Sequence, residues 1–256
     1  MLAPQRQAAI LDRVRVSGGV RVTELANEFG VSDMTIRRDL EALADRGLLA
    51  KVHGGATSMQ PGSTDEPGFA AKSIRQRVEK AAIAARAAEF VTPGFAVALS
   101  AGTTTAELAR RLTDMPGLTV VTNSIPVADV FYRAGRPDQT VVLTGGVRTP
   151  SDALVGPVAV GAVRTLHLDV LFLGVHGMSE RAGFTTPNMM EADTNRALVA
   201  AAERLVVLAD HTKWGTVGIS SMASLDEAHA VVTDSALPDD GRAALSEHVG
   251  ELVIVQ

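Results

Sequence analysis

Residues 31–43 carry the clearest pattern of apolar and polar positions in the chain. Their core-type residues are Ile36, Leu40 and Leu43. These recur at i, i+4 and i+7, so they share one face of a helix. Ser32 stands just before this helix, where its hydroxyl can cap a free backbone N–H. Arg37 and Arg38 lie off the apolar face, and the pattern predicts a capped amphipathic helix with an exposed arginine pair. Taken alone, this stretch is explained equally well by an ordinary surface helix.

Two helices are predicted before it. Residues 4–16 carry an apolar stripe at Ile10, Leu11 and Val14. Residues 24–29 form a second helix, for which Thr23 is the expected cap. Gly30 then permits a sharp turn into the helix after Ser32. Two helices joined by a glycine turn, the second with exposed polar residues, indicate a helix-turn-helix that can enter a DNA major groove.

Residues 48–56 follow the helix-turn-helix and predict a short hairpin, or wing. Leu48, Ala50 and Val52 alternate with Lys51 and His53, which we expect to lie near phosphates. Leu48 is expected in the core. His53 is interpreted as a wing residue, because no second ligand with metal-binding spacing lies nearby.

Residues 57–68 are rich in Ser, Thr, Pro and Gly and lack an apolar period, which predicts an interdomain linker. Residues 69–91 are alanine-rich and predicted helical. Their expected apolar stripe is Ile74, Val78, Ala81 and Ala85. The predicted organisation is therefore a DNA-binding domain over 1–56, a linker over 57–68 and a larger domain over 69–256.

Short apolar runs alternate with helical stretches in the larger domain. The predicted strands are 97–99, 119–122, 140–143, 170–175, 205–209, 230–233 and 252–255. The predicted helices include 104–112, 125–134 and 190–202. This alternation predicts an α/β domain with a mostly parallel sheet covered by helices on both faces.

Polar and glycine residues follow five of these strands, at the sheet edge where α/β proteins bind ligands. The candidate effector-binding residues are Ser100, Gly102, Thr103, Thr104, Asn123, Gly145, Gly146, His176, Asp210 and Lys213. For any single loop, a glycine that only makes a tight turn is the better explanation. His176 is equally well interpreted as a loop residue without a role. The convergent set favours a phosphorylated small molecule, held by free N–H groups and a lysine.

Composition narrows the function classes. The 256 residues include no cysteine, which excludes disulfides and cysteine-based zinc sites and fits a reducing cytoplasm. The amino terminus lacks the apolar core of a signal peptide, and we expect no membrane span, no metal and no cofactor. The net charge of −5 divides into +1 for residues 1–56 and −6 for the remainder. DNA binding therefore has to be argued from positions rather than from bulk charge.

The amino-terminal segment resembles the winged helix-turn-helix of DeoR-family transcriptional regulators. The matching motifs are Leu25-Ala26 with Phe29, Val31-Ser32, Thr35-Ile36-Arg37-Arg38-Asp39-Leu40, Gly47-Leu48-Leu49 and His53-Gly54-Gly55-Ala56. The resemblance implies a DNA face that includes Ser32, Met34, Thr35, Arg37 and Arg38. Thr35 and the two arginines are the best candidates for base or phosphate contacts.

Residues from about 69 to the end resemble the family's sensor domain, which is similar in fold to ribose-5-phosphate isomerase. The matching residues include Lys80, Gly102-Thr103-Thr104, Asn123, Glu191 and Asp210-His211-Thr212-Lys213. The resemblance implies a sugar-phosphate effector and a homo-oligomer, either dimer or tetramer. The family commonly has Asp at Ser100, Asp at His176 and Lys at Asn195. Without these groups an isomerase lacks a base and polarising partners, which argues against catalysis.

The sequence therefore predicts a repressor of carbohydrate metabolism genes that binds double-stranded operator DNA under the control of a phosphorylated sugar. No residue is assigned a catalytic role. The alternative is a sugar-phosphate isomerase-like enzyme with an accessory DNA-binding domain.

Overall fold

The computed structural model describes residues 2–17, 19–46, 48–52, 54–57, 66 and 68–256. The chain divides into two compact units, Met1–Gly62 and Ser63–Gln256. The division falls within residues 57–68, of which Thr57 is the last residue of a strand. Within the described part of the chain, no helix is long and apolar enough to cross a membrane.

The first unit is a helix-turn-helix with a small sheet. Its elements are α1 (Ala3–Ser17), β1 (Gly19–Arg21), α2 (Val22–Phe29), α3 (Asp33–Asp45), β2 (Ala50–Val52) and β3 (Gly55–Thr57). The strands form an antiparallel sheet in the order β1-β3-β2. The core residues include Ile10, Val14, Leu25, Ile36, Leu40, Leu43, Leu49 and Ala56. The predicted apolar face of α3 is thus the face that packs on the other two helices.

Two predictions for this unit are wrong. Thr23 is not a cap, since β1 runs directly into α2 and the helix already begins at Val22. Leu48 is 40% exposed, and Leu49 is buried in its place. The Leu48 N–H donates to the Leu43 carbonyl and continues the turn after α3, which leaves Leu48 at the surface. Val52 of the wing is also exposed.

The second unit contains a seven-stranded parallel sheet. Its elements are α4 (Phe69–Ser73), α5 (Arg77–Ala87), β4 (Ala96–Leu99), α6 (Thr103–Leu112), β5 (Thr119–Thr122), α7 (Ile125–Ala134), β6 (Thr140–Leu143), β7 (Val147–Arg148), β8 (Leu154–Val155), α8 (Pro157–Val163), β9 (Val170–Gly174), β10 (Gly177–Ser179), β11 (Gly183–Thr186), α9 (Met189–Ala201), β12 (Leu205–Leu208), β13 (Ser220–Ala223), β14 (Ala230–Asp234), α10 (Asp239–His248) and β15 (Leu252–Val255). The large sheet has the order β15-β14-β12-β9-β4-β5-β6. All its strand pairs are parallel, as predicted.

Successive strand residues of this sheet point to opposite faces, and each face has its own core. Val170 and Phe172 pack with residues of α5, α6 and α7. Leu171 and Leu173 pack with residues of α8, α9 and α10. A central strand can therefore be apolar at every position, because helices cover both faces of the sheet and bury its side chains.

Residues 69–91 do not form one helix with the predicted stripe. The chain breaks between α4 and α5 at Gln76, whose φ of 46° is left-handed. Ile74 and Val78 are 73% and 79% exposed. The buried face of α5 instead consists of Lys80, Ile83, Ala84 and Ala87. The antiparallel sheet β10-β11-β13, the β7–β8 pair and helices α8 and α10 were also not predicted.

Candidate functional site

The start of α3 is built as the sequence predicts. The Ser32 hydroxyl accepts a hydrogen bond from the Thr35 N–H at 3.2 Å and lies 2.9 Å from the Thr35 hydroxyl. Gly30 ends α2 in the left-handed conformation at φ 63°. A residue with a Cβ is strained there, so glycine sets the turn between the two helices.

The outer face of α3 presents the candidate DNA-binding side chains. Met34 is 60% exposed, Arg37 and Arg38 are exposed, and Thr35 is half-buried. Polar and apolar groups of this kind, at the start of an exposed helix, can contact base edges and phosphates in a major groove.

A buried ion pair holds α3 against α1. The Asp39 carboxylate accepts from the Arg6 guanidinium at 2.5 Å and from the Gln7 amide at 3.0 Å. Sequence reasoning missed this contact. The available signal was the spacing of Asp39, which falls three residues after Ile36 and therefore on the apolar face.

The wing places Lys51 at the surface, where its ammonium pairs with Glu41 at 2.9 Å. This contact lowers the pKa of the Glu41 carboxyl below its ordinary value, through the hydrogen bond and the charge of Lys51. The Lys51 cation is thus already shared with a carboxylate of α3. His53, the other predicted wing contact, lies outside the described residues.

Ser100 and Asn123 follow the neighbouring strands β4 and β5 and are fully buried. The Ser100 hydroxyl accepts from the Gly174 N–H at 2.9 Å. The Asn123 carbonyl oxygen accepts from the Ala101 N–H at 2.9 Å, and its amide donates to the Leu154 carbonyl. Both side chains therefore brace the loops at the carboxyl ends of the strands.

The loops after β4 and β6 supply glycines and the first turn of a helix. Gly102 precedes α6, with Thr103 half-buried and Thr104 buried in the first turn. Gly145 and Gly146 follow β6 with positive φ, and a Cβ at Gly146 would lie 2.5 Å from a backbone carbonyl. First-turn N–H groups and a glycine turn suit an anion.

Acidic and basic side chains complete this edge of the sheet. The Oδ1 atom of Asp210 accepts from the Thr212 N–H at 3.1 Å, while its buried Oδ2 has no hydrogen-bond partner in the described part of the chain. Lys213 ends the short helix His211–Lys213 and is half-buried. His176 is half-buried after β9, and its N–H donates to the Thr185 carbonyl at 3.1 Å.

Two further lysines, Lys72 and Lys80, interact electrostatically with Lys213. Burial lowers the pKa of Lys80 to about 8; Asp210 opposes this change, while Lys213 and Lys72 add to it. Burial also lowers the pKa of Lys72, against the attraction of Glu191 and together with the repulsion of Lys213. The three lysines are therefore near enough at this edge of the sheet to affect one another's charge. Lys72 lacked a strand-end position and was not predicted to belong to the site.

Glu191 lies on the same edge, at the start of α9. Burial raises the pKa of its carboxyl to about 7, against the attraction of Lys72. The Thr186 hydroxyl donates to Glu191 Oε2 at 3.2 Å. Asn195, one turn further along α9, is buried and donates to the Met222 sulfur. The edge thus combines cations, a carboxyl with a shifted pKa and free helix N–H groups.

Comparison with solved structures gives limited likenesses. Ribose 5-phosphate isomerase A from Neisseria gonorrhoeae has a TM-score of 0.39 and 17% identity, covering 54% of this chain and 53% of that chain. An eIF2B delta subunit from Chaetomium thermophilum has a TM-score of 0.41 and 18% identity, covering 56% and 50%.

Sequence relatives cover almost the whole chain. The HTH-type transcriptional regulator GlpR of Haloferax volcanii is 36% identical over 99% of this chain and 98% of its own length. The putative aga operon transcriptional repressor of Escherichia coli O157:H7 is 31% identical, covering 98% and 93%. The transcriptional repressor AccR of Agrobacterium fabrum is 33% identical, covering 90% and 89%.

Two family matches divide the chain as the fold does. Residues 6–61 match the DeoR-like helix-turn-helix domain, and residues 75–235 match the DeoR C-terminal sensor domain. The second match alone spans more than half of the chain, and the three relatives are named as transcriptional regulators or repressors. The chain therefore belongs to the DeoR family of helix-turn-helix transcriptional regulators.

Proposed function

We propose that this protein represses carbohydrate metabolism genes by binding operator DNA, and that a phosphorylated sugar releases it. The observation that carries the effector part is the convergence of Lys72, Lys80 and Lys213 beside the glycine loops of the parallel sheet. Ammonium groups and free helix N–H groups together favour a phosphate over a neutral ligand.

The DNA-binding part rests on α3. Its N-terminus is capped by Ser32, and its orientation is fixed by the buried pair of Asp39 and Arg6. Arg37 and Arg38 consequently leave a rigid helix in a defined direction. In this proposal the effector favours an arrangement of the paired helix-turn-helices that no longer matches two operator half-sites.

Fluorescence anisotropy tests both parts together. The full-length protein is titrated against DNA from its own promoter region at two salt concentrations, with and without a panel of pentose and hexose phosphates. Specific binding that one sugar phosphate weakens is the expected result. If the panel leaves specific binding unchanged, the phosphate effector is refuted and the DNA part stands.

Arg37→Ala tests the DNA face. We expect a loss of about 1–3 kcal/mol in operator binding, depending on whether the guanidinium contacts a base or a phosphate. Arg133→Ala is the matched control, because it removes an arginine that is exposed on α7 of the other unit. Wild-type affinity and specificity in Arg37→Ala would remove this residue from the interface.

We also propose that the protein is a homo-oligomer, a dimer or tetramer. The edge strand β6 exposes Val141, Val142 and Leu143, and Val147 follows them at the surface. An exposed apolar edge strand is a ready surface for pairing with a second copy. Light scattering should give a multiple of the chain mass, and Val142→Lys should reduce it. A monomeric wild type would refute this.

The alternative is an isomerase-like enzyme. The observation that favours it is the carboxyl of Glu191, whose pKa of about 7 suits a general base near neutral pH. A steady-state assay over pentose and hexose phosphates separates the two functions. Turnover that Lys213→Ala abolishes would establish the enzyme, whereas we expect none.

A further inference from the structure

The segment from Gly68 to Gln76, here called the strap, lies next to the lysine cluster. It consists of the five-residue helix α4 and the bend that ends at Gln76, whose φ is 46°. No residue of α4 is buried, and Ile74 is largely exposed. A segment with so few buried groups opens at low free-energy cost.

The strap is held by polar contacts and by Phe69, which is partly buried against the core of the second unit. The Phe69 N–H donates to the Pro150 carbonyl at 3.3 Å. The Lys72 ammonium donates to the Ser151 hydroxyl at 2.7 Å. The Lys80 ammonium donates to the carbonyls of Lys72 and Arg75, both at 2.7 Å. Two lysines of the proposed effector site therefore also attach the strap to the rest of the unit.

Both lysines can bind an anion, Lys72 by exchanging its partner and Lys80 through a third donor. The hydrogen bond from Lys72 to Ser151 joins a cation to a neutral hydroxyl. Glu191, Glu66 and Asp152 attract the Lys72 cation, and Lys213 repels it. A phosphate oxygen accepts a charge-assisted hydrogen bond, which is roughly twice as strong as a neutral one. Lys80 has three N–H donors and uses two on the strap carbonyls; among the described residues the third has no partner and can serve a ligand.

We propose that Lys72 is an effector-binding residue, and that the anion takes its ammonium away from Ser151 and so changes how the strap is held. The strap follows residues 58–67, which connect it in the chain to the DNA-binding unit. Effector binding thereby alters the part of the second unit that directly follows the predicted linker. This inference rests on the proposed phosphate effector, and it names the element through which that effector acts.

The test uses the full-length protein and three probes: inorganic phosphate, ribose 5-phosphate and fructose 6-phosphate. Binding is followed by the fluorescence of Trp214, the only tryptophan, which directly follows Lys213. Hydrogen exchange of the amides of residues 69–73 is measured with and without each probe. If a probe binds, we expect it to change the rate of hydrogen exchange in the strap.

Two variants separate ligand binding from strap attachment. Lys72→Met removes the ammonium and should weaken binding at least about tenfold, which corresponds to about 1.4 kcal/mol. Ser151→Ala removes the hydroxyl partner and leaves the ammonium, so it should keep or improve affinity while raising strap exchange without ligand. Lys213→Met removes the third lysine of the proposed site and serves as the positive control for lost binding.

The outcomes are distinguishable. If Lys213→Met loses binding while Lys72→Met binds as the wild type does, the effector site stands and the role of Lys72 is overturned. Binding without any change in strap exchange overturns the strap as the responding element. If no probe binds the wild-type protein, the proposed phosphate effector fails, and this inference fails with it.

Discussion

The buried carboxyl of Glu191 makes the stability of the second unit depend on pH in a calculable way. Its pKa is about 7 in the folded chain against an ordinary value of 4.5. The folded state therefore holds this proton more tightly than the unfolded state does. Between these two pH values the folded state binds more protons, so its stability falls as the pH rises through this window.

The pKa difference corresponds to about 3 kcal/mol. This stabilisation is fully present below about pH 4.5 and is lost as the pH passes about 7. Glu191→Gln keeps the shape and an oxygen that can accept from the Thr186 hydroxyl, but it cannot ionise. Relative to the wild type, this variant should gain up to about 3 kcal/mol between pH 5 and pH 8.

The pH dependence of the free energy of unfolding is measured by urea unfolding in phosphate-free buffers, with tryptophan fluorescence as the signal. Trp214 is the only tryptophan, and its indole N–H donates to Asp240 at 2.8 Å, so its signal reports on the second unit. Glu247→Gln, on the exposed face of α10, is the matched control. Parallel stability profiles of wild type and Glu191→Gln would refute the buried, proton-holding carboxyl.

Three further predictions follow from other contacts. Asp39→Asn leaves the Arg6 guanidinium buried without its carboxylate and should destabilise the first unit by about 3 kcal/mol, measured as a thermal transition by circular dichroism. Gly146→Ala should lower the free energy of unfolding of the second unit by about 1–3 kcal/mol, measured by urea unfolding. Gly135→Ala should cost clearly less, because both glycines have positive φ but, of the two, only Gly146 has no room for a Cβ. Phosphate binding should weaken as the pH rises through about 8, because the pKa of Lys80 is about 8 instead of its ordinary 10.5 and the ammonium loses its charge there. Phosphate affinity that stays constant to pH 9 would exclude Lys80 from the site.

The parallel sheet shows which parts of a fold can be predicted from the sequence. Each of the seven strands is an apolar run bounded by polar or glycine residues, and local composition alone identifies it. The short strands β7, β8 and β10 have two or three residues, which is too few for any period to be visible. Their pairing depends on partners that are brought close by the rest of the fold.

The helix before the sheet shows the opposite case. In an alanine-rich stretch the apolar and polar positions differ little. The sequence pattern therefore does not separate the predicted stripe of Ile74 and Val78 from the buried face of Ile83 and Ala84. The tertiary structure decides between the two faces: Ile83, Ala84 and Ala87 of α5 pack in the core beside the sheet, whereas Ile74 and Val78 stay exposed. The same packing turned Lys80 inward, where it meets the strap carbonyls.

By itself, the sequence determined the helix-turn-helix, the parallel order of alternating strands and helices, and the loops where a ligand is expected, because each of these depends on residues close together in the chain. Only the tertiary structure decided which polar side chains are already engaged in hydrogen bonds within the protein. It buried Ser100 and Asn123 as loop braces and brought Lys72 and Glu191 together, although they are far apart in the chain. Long-range packing sets burial, and burial sets both the hydrogen-bond partners and the charge of a side chain.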